Sequence, residues 1–234
     1  MSNNKTIYNK RMKVADLLTS DSSLLSILQR LDIKLGFGEA TINELCSRYG
    51  ISVELFLMIC NIYSFHEYNP HIDTLGKNDI KSITTYLRAS HRYYTTVCFP
   101  AIHEGIHTLV KELDEVSRKL IDKFYDDYDN EIINHFKYEE EVVFPYIEKL
   151  MENNRPNDTQ YRIGQFEENH SNINEKLNDL KNIIAKYLDE GYSSPQRFEL
   201  LNTIYSVEND LRKHSLIENK LLIPLVENLE NSHE

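Results

Sequence analysis

A chain of 234 residues with 41 % hydrophobic side chains is long enough for one or two domains and a real core. Its formal net charge of −11 argues against a nucleic-acid partner. Only 7 Gly and 6 Pro interrupt it, which favours long helices over a many-turned β fold.

Residues 1–20 read as an N-terminal arm; MSNNKTIYNKRMK has no apolar run behind its basic residues, so it is not a secretory signal. Residues 21–66 read as a small helical domain. Leu24, Leu25, Ile27, Leu28 and Leu31 begin one amphipathic helix. LGFGEAT (35–41) is a loop, and Thr41 caps the next helix with Glu44 three residues on. GFG there is no phosphate loop, because no Lys follows it and no strand precedes it. RYGIS (48–52) is a turn, and VELFLMICNIY makes a second buried helix. DNA readers share that helix–turn–helix order, but this second helix offers Glu54 and no Lys or Arg. Three cysteines, Cys46, Cys60 and Cys98, are too scattered for a disulfide framework.

Residues 67–79, EYNPHIDTLGKND, form the expected linker to a bundle over 80–234. Four helical patterns follow. The first keeps a stripe through Ile80, Ile83, Leu87, His91, Tyr94, Cys98, Ile102 and Ile106, with Pro100 expected to kink it. The second runs from about 118 to 150 through Ile121, Tyr128, Ile132, His135, Glu139, Val142 and Tyr146. The third keeps Phe166, His170, Ile173, Leu177 and Leu180; the fourth keeps Leu201, Tyr205, Leu211, His214, Glu218 and Leu221. The expected fold is all-α, an up-down-up-down four-helix bundle preceded by a small helical domain. No run approaches the ~18 apolar residues of a membrane span.

Two stretches of this bundle repeat each other. His91 is followed at +44 by His135, then Glu139 at +4 and Pro145 at +6; His170 is followed at +44 by His214, then Glu218 at +4 and Pro224 at +6. A step of four residues turns only about 40° around a helix, so each His–Glu pair shares the apolar face. Roughly 18 residues up at ~1.5 Å each, a loop, and 18 back return the chain to the same height. Two such hairpins bring all six side chains to one layer.

A lone His on an apolar stripe is usually a core residue, but an ionised carboxylate there costs several kcal/mol unless it is paired or bound to metal. Four imidazoles and two carboxylates exceed what one zinc ion takes and suit two ions bridged by the carboxylates. Imidazole-rich coordination favours two non-haem iron ions, joined by an oxo or hydroxo bridge, over manganese. An open position could take O2, NO or peroxide. His103 and His107, also four apart, lie off the stripe and read as surface residues; His66, His71 and His233 receive no role. Glu131 and Asp210 are candidates to accept a hydrogen bond from a ligand His, or are acids at the solvent edge. Tyr94 and Cys98 follow His91 by one and two turns and line the pocket or only pack.

His135–x3–Glu139 followed by EEVVFP, His214–x3–Glu218 followed by NKLLIP, and His170 in FEENH resemble the hemerythrin-like di-iron domain. In particular they look like proteins of the repair-of-iron-centres (RIC, or ScdA) type, over residues 77–229. The pattern differs from respiratory hemerythrin, whose third helix carries two ligand histidines and whose last acidic ligand is Asp five residues after its His. Relatives often have two histidines close together in the first helix, where this chain has His91. LLSILQRLDIKLGFGEATINELCSRYGIS is similar to the ScdA-type N-terminal domain, but the usual adjacent Cys–Cys pair is absent and GFGE stands in its place, with Cys46 nearby.

The resemblance implies metal ligation by His91, His135, Glu139, His170, His214 and Glu218, the two glutamates bridging. It implies cytoplasmic repair of iron–sulfur clusters after nitrosative or oxidative stress, with iron–sulfur proteins as clients and a homodimer left open. The rival expectations are an O2- or NO-binding sensor or carrier, and a di-iron NO reductase or peroxidase. A nucleic-acid regulator built on residues 41–63 is the weakest.

Overall fold

The computed structural model describes residues 8–111, 113–152, 161–167, 173–189 and 194–232. Every regular element among them is a helix, and the one β contact is an isolated bridge between Lys13 and Thr41. The fold is an all-α helical bundle. No single helix among the described residues is long and apolar enough to cross a membrane. The chain divides into two compact units. One takes Met1–Ala89, Ile147–Thr159 and Leu216–Glu234; the other takes Ser90–Tyr146 and Gln160–Ser215.

In the first unit, α1 (Val14–Ser20), α2 (Leu25–Arg30), α3 (Ile42–Tyr49) and α4 (Val53–Ser64) pack around Val14, Leu17, Ile27, Leu45, Phe56 and Ile59, all fully buried. Thr41 and Glu44 complete the expected capping box of α3. Gly50 ends α3 in the left-handed region at φ 65°, where a glycine pays no Cβ penalty, and Ser52 caps α4 through the Leu55 N–H. The buried Arg30 guanidinium donates to the hydroxyls of Tyr63 at 2.5 Å and Tyr86 at 3.2 Å. Tyr86 belongs to α5 (Lys77–Tyr93), so this network ties α2 and α4 to the helix that carries His91.

In the second unit four helical runs share one core. They contribute Ile102 and Ile106 from α6 (Phe99–Val110), and Ile121, Tyr128 and Ile132 from α7 (Glu115–Tyr138). The other two contribute Leu177 and Leu180 from α10 (Ile173–Asn182), and Ile204 and Leu211 from α11 (Pro195–Ile217). In chain order α8 (Phe144–Met151) and the short α9 (Gly164–Glu167) follow α7, and α12 (Ile223–Asn231), which belongs to the first unit, follows α11. Asp114 starts α7 by accepting the Val116 and Ser117 N–H groups at 2.9 and 3.0 Å. Gly105 of α6 lies so close to α11 that a Cβ there would meet Leu200 at 2.8 Å. Arg197 closes the third run, its guanidinium donating to the carbonyls of Ile184, Leu188 and Asp189.

The proline kinks take a specific form. A π turn ends two residues before each of Pro100, Pro145 and Pro224: Tyr94–Cys98, Glu139–Val143 and Glu218–Leu222. The N–H of the residue just before each proline bonds five residues back, Phe99 to Tyr94, Phe144 to Glu139 and Ile223 to Glu218. Proline lacks the donor that an α-turn needs and its ring crowds the carbonyl four residues earlier; the wider turn relieves both. The π turn also inserts one residue into the helical phase. Val142, expected on the stripe, is therefore exposed and Val143 is buried instead. In the fourth run the buried phase is Leu200, Ile204 and Val207, one residue earlier than the expected Leu201 and Tyr205. Tyr205 is half exposed, lying under Lys181 with its ammonium 4.7 Å from the ring centroid.

Candidate metal centre

Glu139 opens the π turn of the second run and has no solvent exposure. Its two carboxylate oxygens face different imidazoles: Oε1 lies 2.5 Å from His135 Nε2 and Oε2 lies 3.0 Å from His91 Nε2. His91 Nε2 is in turn 3.3 Å from His214 Nε2. One donor atom each from His91, Glu139 and His214 fall within 4.8 Å of one another. Both histidines are buried, at 4 % and 2 % exposure, whereas His135 keeps 12 % of its side chain accessible. Glu218 is fully buried at the head of the last π turn, one turn beyond His214. His170 lies outside the described residues.

These groups fit a cation on chemical grounds. A fully buried carboxylate needs positive charge or several donors near it. Two neutral imidazole nitrogens facing each other repel unless a proton or a cation lies between them. Nitrogens ~2.1 Å from one ion and about 100° apart stand at the separation seen between His91 and His214. Imidazole with carboxylate is a donor set for iron, manganese or zinc.

Aromatic rings hold the set in place. The His91 ring stacks on Phe136 at 4.3 Å and 20°, and on Phe144 at 5.7 Å and 15°. Tyr94 meets His214 edge-on at 5.7 Å, and Phe166 stacks on His135 at 6.3 Å. Sequence reasoning did not single out Phe136, Phe144 or Glu140. Glu140 Oε1 lies 2.9 Å from His91 Nδ1, on the far side of the ring from Glu139. The available signal was the acid triplet 139–141, of which one member shares the stripe with His135 and the next is turned about 100° away.

The remaining candidates fall elsewhere. Glu131 pairs with Lys176. His103 and His107 are exposed and line an open pocket with Tyr125 and Asp129, where burial raises the Asp129 carboxyl above its ordinary value. Tyr94 and Cys98 are buried as part of the core.

Compared with known families, the chain matches the hemerythrin HHE cation binding domain over residues 82–226, a span that contains His91, His135, Glu139, His170, His214 and Glu218. No curated protein and no solved structure matches it.

Proposed function

The chain belongs to the hemerythrin HHE cation-binding domain family, and on that premise we propose that it is a non-haem di-iron protein of the repair-of-iron-centres type. In this reading His91, His135, His170 and His214 are terminal ligands, Glu139 and Glu218 bridge the two ions, and the protein restores iron–sulfur clusters damaged by nitrosative or oxidative stress, as an iron donor in the cytoplasm. Iron held there supplies one-electron chemistry and exchangeable coordination positions.

The observation that carries the reading is the stance of Glu139. A carboxylate that reaches a separate imidazole with each oxygen, wholly shielded from water, is arranged to span two cations. The chain's own residues then have definite work. Glu139 and Glu218 would neutralise the ions, the histidines would present ring nitrogens, and Phe136 and Phe144 stack on the His91 ring.

Anaerobically purified protein is expected to hold about two irons per chain, and Glu139→Ala and Glu218→Ala are expected to lose them. The iron-loaded chain should reactivate an iron–sulfur enzyme inactivated with NO, and the two variants should not. Full iron retention in either variant removes its bridging role; a parent that binds iron and reactivates nothing removes the repair role.

The aromatic walls of Phe136, Phe144 and Tyr94 favour one second reading, a sensor or carrier of O2 or NO, because small uncharged molecules partition into such a lining. A stable, reversible optical change with O2 or NO, without turnover, separates it from repair and from an NO reductase or peroxidase.

A further inference from the structure

We propose that Glu140 is a positioning residue: its carboxylate accepts a hydrogen bond from Nδ1–H of His91, and so holds that ring with Nε2 turned toward Glu139 and His214. This deepens the metal-binding reading and rests on it.

The argument starts from the ring. His91 is buried and stacked on Phe136 and Phe144, so its nitrogens must find their partners inside the protein. One nitrogen meets Glu139 at 3.0 Å and the other meets Glu140 at 2.9 Å. Two neighbouring residues thus grip opposite sides of one imidazole. An acceptor at Nδ1 fixes the proton there and leaves the Nε2 lone pair for a cation; a carboxylate acceptor also makes that lone pair more basic. Glu140 is about one-third exposed, with its side chain at the protein edge, where Glu139 is wholly enclosed.

The two halves of the repeat differ at this step. Glu139 is followed by Glu140, whereas Glu218 is followed by Asn219, which is exposed and uncharged. The first repeat therefore carries an anionic brace behind its first-helix histidine, and the second repeat has an amide at that register. An ion held by His91 would therefore have a more electron-rich ligand, and a lower reduction potential, than the same ion without that brace.

The test uses the full chain in two states. In metal-free protein, long-range proton–nitrogen NMR should show a slowly exchanging proton on His91 Nδ1, and Glu140→Ala should abolish it. In anaerobic titration with Fe(II) against a chelator, Glu140→Ala should weaken binding by roughly 10–100-fold. Glu140→Gln, which still accepts the bond, should recover much of that loss, and Asn219→Ala should change nothing. Both Glu140 variants should raise the reduction potential of the centre while leaving the unfolding temperature of the metal-free protein where it was. Absence of the Nδ1 proton in the parent overturns the proposal. So does unaltered iron binding in Glu140→Ala, or a loss matched by destabilised metal-free protein. A parent that shows the Nδ1 proton but binds no iron leaves the brace standing and sinks the di-iron reading instead.

Discussion

Glu139 illustrates how a single side chain can be costly without its cation and stabilising with it. In the metal-free protein it is a carboxylate enclosed among rings, and its replacement removes a desolvated acid. Glu139→Ala is therefore expected to abolish the metal-dependent gain in unfolding temperature, with the metal-free protein no less stable than the parent; calorimetry with and without chelator checks both halves. The cysteines make a contrasting case. Burial pushes the Cys46 thiol up to about 12 and raises Cys60 as well. The thiolate is the reactive form, so native protein at pH 8 should resist iodoacetamide at both positions, and unfolded protein should be alkylated at once, read by mass spectrometry. A His four residues before a Glu shares a helix face and the spacing occurs twice, so His135 with Glu139 and His214 with Glu218 stood out in the sequence, and the structure brings donor atoms of His91, Glu139 and His214 together. Glu140 was not legible, since nothing in three consecutive acids tells which one meets a ring on another helix. Phe136 and Phe144 were hidden by the same cause: which rings stack on His91 depends on the rotation between helices, and residue order does not record it.

The helices show where periodicity suffices and where it fails. Caps were legible, since Thr41 with Glu44 is a local signal; Thr41→Ala should cost about 1 kcal/mol in the first unit, measurable by urea unfolding. The prolines marked three breaks, but their form depends on hydrogen-bond register rather than residue type. Because a π turn adds one residue to the phase, residues beyond Glu139 fall one position late, which is why Val143 is inside and Val142 outside. Deleting Val142 removes the extra residue of the π turn and should fold with little loss of helicity, Pro145 still interrupting the hydrogen-bond ladder. Deleting Asp127, exposed in the regular part of α7, should turn the helix face by about 100° and unfold the bundle. The Val142 deletion should nonetheless weaken iron binding at least tenfold, because Glu139 loses the turn that aims it. Circular dichroism and metal titration read the two effects separately. The early fourth run misled for a simpler reason: Leu200 and Leu201 are adjacent, and only the packing against Gly105 selects the first.

At the scale of the whole chain, the fold class followed from few glycines and prolines and from stripes at helical spacing, and the core shared by four runs bears it out. The seven-residue α1 was not legible, since Val14 and Leu17 alone do not make a period. A cation that binds only the folded state stabilises it by about 2.7 kcal/mol at a hundredfold excess over its dissociation constant, worth roughly 5–10 °C in a chain of this size. Chelation should lower the unfolding temperature by that amount. The two rings stacked on His91 come from the same segment of chain that supplies Glu139. Ring stacking and burial hold that mould together. Recharging the stripped protein should accordingly be simple capture, its rate proportional to added iron, with no slower conformational phase behind it.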